Sequence, residues 1–296
     1  MIVGEAKAKR DHKLISVLIP ERGRPEMLER LIQSLVDTAD GDARYEILVA
    51  IDKDDETWTD APPHEPWSIG RPVRWFHWER PITLGTKLNL MAAEAHGEIL
   101  WFISNDMRMV TGGWPVVFRN AVAKLPNGIG VPFVRDSLHP DHAAYPVLTR
   151  KWMNAVGFLF PPCYPYWFID THVDSLGLMM DQHFEIDVTV ESQGDRGRTH
   201  GLTDLAFWAR FYQKLEPVRL REAIHLIAAA HGEGTSAYDR VMRGLGQRQE
   251  YARQRTAHLT SPEFLARWSD NTASPPGPRY AAAKECAEGM IRDLEK

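Results

Sequence analysis

The sequence predicts an α/β fold, a mostly parallel sheet flanked by helices, followed by a helical C-terminal extension. Three observations carry that expectation. Short apolar runs alternate with helix-period segments through the first half of the chain. Those runs are apolar at nearly every position, the pattern of strands covered on both faces. Past Gly232 the chain turns charged and helical.

The elements follow in order. Residues 14–20 (LISVLIP) form a β-branched run closed by proline. Residues 25–39 place Met27, Leu28, Leu31, Ile32, Leu35 and Val36 at helical spacing, with Pro25 suited to the first turn. Residues 45–52 (YEILVAID), 73–78 (VRWFHW) and 98–104 (EILWFIS) read as further strands, and residues 128–134 (GIGVPFV) as another. A Pro-rich loop is expected over 55–72. Helices are expected over 83–97, stopped by Gly97, and over 112–126. Residues 154–168 are aromatic and Pro-rich, an irregular wall. A helix follows over 170–182 with Asp170 at its N-cap, then a strand over 184–192 and an amphipathic helix over 201–217. Residues 271–279 read as a linker to a last helix, 280–296. The expected division is a domain over 1–232 and an extension over 233–296.

Composition bounds the function. The chain has 296 residues, 44% apolar and 25% charged, with 35 basic and 40 acidic side chains and a net charge of −5. A nucleic-acid binder needs a basic face, so none is expected as partner. The two cysteines match no metal spacing and no disulfide framework, which places the chain in a reducing, cytoplasmic setting. No signal-peptide core opens the sequence, and no apolar run reaches the roughly 18 residues of a membrane span. The ten tryptophans are core residues or sugar-stacking platforms, and core is the preferred reading.

In parallel α/β sheets ligands bind beyond the carboxyl ends of the strands. Three strand ends here are polar: Pro20-Glu21-Arg22, Asp52-Lys53-Asp54-Asp55 and Ser104-Asn105-Asp106. Acids on strands that such a sheet sets side by side point to one polar cleft.

Four segments resemble the family-two-like glycosyltransferases of the GT-A fold, in the family's order. ISVLIPERGRPEMLERLIQSL is similar to their opening strand, loop and helix, and ILVAIDKDDE to their second strand. LGTKLNLMAAEAHGEILWFISND resembles their asparagine-bearing helix and the strand before the metal-binding acids. VGFLFPPCYPYWFIDTHVDSLG resembles the acceptor-side segment that leads to a catalytic aspartate. The resemblance covers roughly residues 14 to 210. It implies a nucleotide-sugar donor, an acceptor hydroxyl, and a divalent cation, Mn²⁺ or Mg²⁺, on the diphosphate.

The resemblance gives each candidate a role, and each has a plainer alternative. Asp106 is the metal ligand or the start of a turn; it lacks carboxylate neighbours, since Asn105 and Met107 flank it. Asp52 and Asp54, with Asp55, meet the base or ribose, or form a solvated acidic turn. Pro20, Arg22 and Arg24 lie on the loop at phosphate or base, with Arg24 alternatively pairing within the loop. Lys87 approaches the diphosphate. Asn89 bonds the nucleotide or braces a loop. Asn105 sits beside the metal acid. Asp170 is the general base, its pKa raised by its aromatic surroundings, or a plain N-cap, with Asp174 in reserve. A histidine is expected to complete the metal shell: His200, or failing that His231. Arg196 and Arg198 lie in a Gly-flanked stretch that suits phosphate contact. Trp152, Tyr164, Tyr166 and Trp167 line an acceptor site or pack the interior. The expected reaction is metal-assisted transfer, inverting by family resemblance. The alternative is a protein that keeps the fold and binds nucleotide-sugar with weakened or no turnover. A nucleotidyltransferase ranks below both, because ERGRPEM lacks a Gly-rich, lysine-bearing phosphate loop. The C-terminal helices are expected to serve as a homodimer arm or as a cover on the cleft.

Overall fold

The computed structural model describes residues 11–42, 44–58, 73–136, 139–194, 204–268 and 278–296. The first half builds the expected sheet. Strands β1 (Asp11–Glu21), β2 (Tyr45–Asp52), β3 (Val73–Trp78), β4 (Gly97–Phe102) and the short β7 (Val147–Thr149) take the order β3-β2-β1-β4-β7. The first four pair in parallel and β7 runs antiparallel to β4. A second sheet, order β5-β8-β6, joins β5 (Met107–Met109), β8 (His183–Ser192) and β6 (Val131–Asp136).

Helix α1 (Pro25–Asp37) buries Leu28, Leu31, Ile32 and Leu35 on one stripe. Each such side chain contributes on the order of 1.5–3 kcal/mol. Beyond it lie α2 (Leu84–Glu94), α3 (Trp114–Ala123), α4 (Arg150–Val156) and α5 (Ile169–Met179). The second half adds α6 (Leu205–Lys214), α7 (Glu216–His231), α8 (Ser236–Thr256), α9 (Pro262–Trp268) and α10 (Pro278–Leu294). The preferred reading of the tryptophans holds for Trp101, Trp114, Trp152 and Trp208, which are fully buried. Trp101, Trp114 and Phe118 pack ring on ring at 4.9–5.8 Å, and the Trp114 indole donates to the Leu35 carbonyl at 3.0 Å.

Several boundaries differ from the expectations, each for a local reason. Gly97 does not cap α2; the helix ends at Ala95 in extended backbone, and Gly97 opens β4. A Cβ there would lie 2.6 Å from the Leu14 carbonyl oxygen, so glycine serves the approach of β4 to β1. The helix expected over 201–217 breaks at Leu215, and a new one starts at Glu216 with Pro217 in its first turn. Asp170 is not an N-cap. Phe168 takes that place with φ of 73°, and Asp170 lies inside the first turn of α5. Arg279, read as linker, belongs to α10. No helix among the described residues is long and apolar enough to cross a membrane.

Candidate active site

The parallel register brings the polar ends of β2, β1 and β4 into one row, because β1 pairs with both neighbours. At its centre stands Glu21, which the sequence reading noted only as part of a polar strand end. Its side chain is fully buried, and three donors converge on it. Asn105 donates to Oε2, the Arg24 backbone N–H to Oε1 at 2.7 Å, and the Trp58 indole to Oε1 at 3.4 Å. Burial raises its pKa, and those hydrogen bonds offset only part of the effect.

Asn105 is therefore committed to Glu21 and lies beneath the cleft floor. Asp106, next along the chain, is partly exposed and is met by the Arg24 guanidinium at 3.0 Å. Arg24 also reaches the Asn105 side-chain oxygen at 3.4 Å. The β1 loop and the β4 end thus lock together, and Pro20 is the strand residue of β1 that precedes Glu21.

On the other flank Asp52 is buried under cations. Lys87 donates to Oδ1 at 2.8 Å, Arg22 approaches Oδ2 at 3.4 Å and Arg80 at 3.5 Å. The Lys87 side chain is only 7% exposed and committed to Asp52, so it does not stand open to a diphosphate as expected. Burial lowers its pKa even against Asp52. The groups that face solvent are Asp54, Arg22 and Arg80. Asp54 accepts from Arg22 at 2.7 Å and from Arg279 at 3.0 Å, so the first turn of α10 reaches this flank. Burial opposes ionisation of Asp54, yet Arg22 and Arg279 hold its carboxyl below the usual range. Asp55 accepts from the Gly23 and Thr57 backbone N–H groups and shapes the loop.

Asn89 departs from its nucleotide role. Its amide donates to the Phe160 carbonyl at 2.9 Å and accepts from the Leu159 and Phe160 N–H groups, so it braces a loop. Of the aromatic candidates, Trp152 and Tyr164 are fully buried and Trp167 packs against Phe264, while Tyr166 is 42% exposed. His200, Arg196 and Arg198 lie outside the described residues. His231 ends α7.

Asp170 lies near the buried Tyr145, which feels its charge and that of Asp106. Its setting differs from the expectation. Burial favours the neutral acid, but His142 holds the carboxyl below the usual range instead of above it. His142 comes from a loop with no helical or strand period, so no sequence signal marked it. Its Nε2 lies 3.1 Å from Asp170 and its Nδ1 3.4 Å from Asp174. Asp174 also accepts from His183 Nε2 and the Ala143 N–H, both at 2.8 Å. Burial alone disfavours the His142 imidazolium, yet the two carboxylates lift its pKa to about 10. Asp174 is held well below the usual carboxylate range despite its burial.

These shifts fix a pH dependence of stability. His142 moves up from 6.5, so its stabilisation is complete below about pH 6.5 and is lost as pH rises toward 10. Asp174 moves down from 3.8, so its contribution is complete above that pH and is lost on acidification. The joint contribution of these two groups to the melting temperature is expected to be greatest between about pH 4 and 6.5 and to decline above it. A His142→Gln protein should lose most of the alkaline decline in a thermal scan across pH; an unchanged slope would contradict the assignment.

Among the described residues no group of three His, Cys, Asp or Glu side chains gathers as a metal site. Asp106 offers one carboxylate, with Oδ2 shared with Arg24. That donor set fits a hard divalent cation drawing its other ligands from a diphosphate and water, as Mg²⁺ does, and not one enclosed by protein.

Comparison with known proteins agrees with this architecture. A family model described as Glycosyl transferase family 2 matches residues 16–154. The O-antigen biosynthesis protein RfbC of Myxococcus xanthus is 31% identical over 103 residues, 34% of this chain; the matched stretch spans 8% of that relative's length. Among solved structures, S. aureus TarS 1-349 in complex with UDP superposes with a TM-score of 0.50 at 12% identity, covering 86% of this chain and 78% of that one. That likeness shows the fold. With the strand-end acids lined up on a parallel sheet, the matches say one thing: residues 16–154, just under half of the chain, are similar to family 2 glycosyl transferases, and the fold is shared with TarS.

Proposed function

We propose that the chain moves a sugar from a UDP- or GDP-type nucleotide-sugar to an acceptor hydroxyl, with a divalent cation and with inversion at the anomeric carbon. The observation that carries this reading is that Asp106 and Asp170 both lie close enough to the buried Tyr145 for it to feel their charges. Asp106 is paired with Arg24, and Asp170 keeps its side chain 30% exposed. Arg22 and Arg80 present guanidinium groups to the anionic donor, and Asp54 can accept from a base or ribose. Asp106 would hold Mn²⁺ or Mg²⁺ together with the diphosphate, and the bound ion would neutralise charge on the leaving group. Asp170 accepts the proton of the acceptor hydroxyl as that oxygen bonds to the anomeric carbon and the bond to the diphosphate breaks. A single displacement of this kind needs no protein nucleophile.

We read residues 1–232 as the transferase domain and 233–296 as an extension built onto it. Contact of α8 with α5, and of Arg279 with Asp54, supports that reading. The solitary carboxylate at Asp106 favours one second reading, a fold that binds nucleotide-sugar without turnover. A thermal-shift panel of UDP-, GDP- and dTDP-sugars, with and without Mn²⁺, tests binding. A donor at 100 times its Kd stabilises by about 2.7 kcal/mol, a rise of roughly 5–10 °C. No shift with any donor would overturn both readings, and a shift without donor consumption would favour the second.

A further inference from the structure

We propose that His142 is a positioning residue for sugar transfer: clamped between Asp174 and Asp170, it fixes the Asp170 carboxylate toward the acceptor hydroxyl and keeps it ionised. The proposal rests on Asp170 being the base.

The geometry is specific to that task. Asp170 and Asp174 are four residues apart on α5 and share one face of the helix. Asp174 is the buried end, with its side chain 2% exposed, and it is anchored by His183 and the Ala143 N–H. Asp170 is the open end. Its Oδ1 accepts from the Thr171 N–H at 2.8 Å and the Thr171 hydroxyl at 3.3 Å. Its Oδ2 accepts from His142. Both oxygens are thus pinned, and the carboxylate plane is set by one helix and one imidazole. A histidine kept only for packing needs neither carboxylate. This one spends both ring nitrogens on acids of opposite exposure.

The charge count gives the second half of the argument. The groups facing His142 are Asp170 and Asp174 from α5 and His183 from β8, the last through Asp174. His139, in the same loop, has its ring 6.4 Å away and is paired with Asp136 at 2.6 Å. From α8, Arg255 donates to the Asp141 carbonyl one residue away. One imidazolium shared by two carboxylates leaves one negative charge, and the exposed Asp170 carries it toward the cleft. Without the imidazolium, two like charges would face each other on one helix side. The exposed one would then hold its proton to a higher pH and act as a base over a narrower range.

The test uses the full chain, with a donor found in the thermal-shift panel. His142→Gln is expected to lower kcat about 10- to 100-fold, the usual cost of losing a group that orients a catalytic one. The donor KM and the donor-induced thermal shift should stay at wild-type values. The acid limb of the kcat–pH profile should move up by about one unit or more, which loss of packing alone would not do. If His142→Gln strands Asp174 and fails to fold, the double variant His142→Gln/Asp174→Asn removes the buried charge as well and should show the same loss of kcat. Wild-type kcat and acid limb in either folded variant would overturn the proposal. Asp170→Asn separates it from the reading beneath it. If that variant is active, the base assignment fails; if it is inactive while His142→Gln is normal, only the positioning role fails.

Discussion

Asp106→Ala is expected to lose sugar transfer by about three orders of magnitude while keeping the wild-type fold. A carboxylate that helps neutralise a leaving diphosphate contributes several kcal/mol to the transition state, and each 1.36 kcal/mol is a factor of about ten in rate. The fold should survive because Asp106 is partly exposed and its recorded side-chain partner is Arg24. Exposed pairs of this kind contribute about 0–1 kcal/mol. Arg24 keeps a second anchor at the Asn105 side chain, and its backbone N–H stays on Glu21. Donor turnover in the presence of Mn²⁺, read beside the far-ultraviolet circular dichroism spectrum, decides the matter. An Asp106→Ala protein that turned over normally would remove this acid from the reaction.

Glu21→Ala is expected to destabilise the fold by roughly 3–4 kcal/mol. The Glu21 side chain is fully buried and serves Asn105, the Arg24 N–H and the Trp58 indole at once. Removing it leaves three buried donors without their acceptor, each worth about 1–3 kcal/mol, with partial relief by water. The loss should not stop at stability. Asn105 holds the backbone that presents Asp106, so the donor-induced thermal shift should shrink in the same variant. Denaturant unfolding gives the first quantity and the nucleotide panel the second. A variant within about 1 kcal/mol of wild type would show that Glu21 is not the keystone of the three strand ends.

The contrast between these two acids explains what the sequence could show. Asp106 was legible because it follows a continuous apolar strand, and such strands have a fixed ligand-facing end. The same logic made β1, β2 and β4 readable, since burial on both faces writes itself as an unbroken apolar run. Glu21 also ends a strand, but nothing in its neighbours told that it points inward rather than toward solvent. Burial of Asp52 beneath Lys87 was hidden for the same reason: charge pairing across elements leaves no period. His142 and Arg80 sit in loops, where position is set by tertiary contacts alone. Phe168 took the cap from Asp170 through a left-handed backbone turn, which residue type does not forecast for phenylalanine.

Helix α2 joins two halves of the cleft that the sequence lists far apart. On one side it carries Lys87 to Asp52. On the other Asn89 grips Leu159 and Phe160, and Thr83 donates to the Pro162 carbonyl at 2.8 Å. Between them Gly85 lies so close to Pro161 that a Cβ would fall 2.2 Å from its carbonyl oxygen. The segment gripped this way runs directly into α5 and Asp170. The Asp52 side and Asp170 therefore travel as a single rigid jig; under the proposed transfer, the gap a sugar would bridge is gauged by backbone contact across one helix.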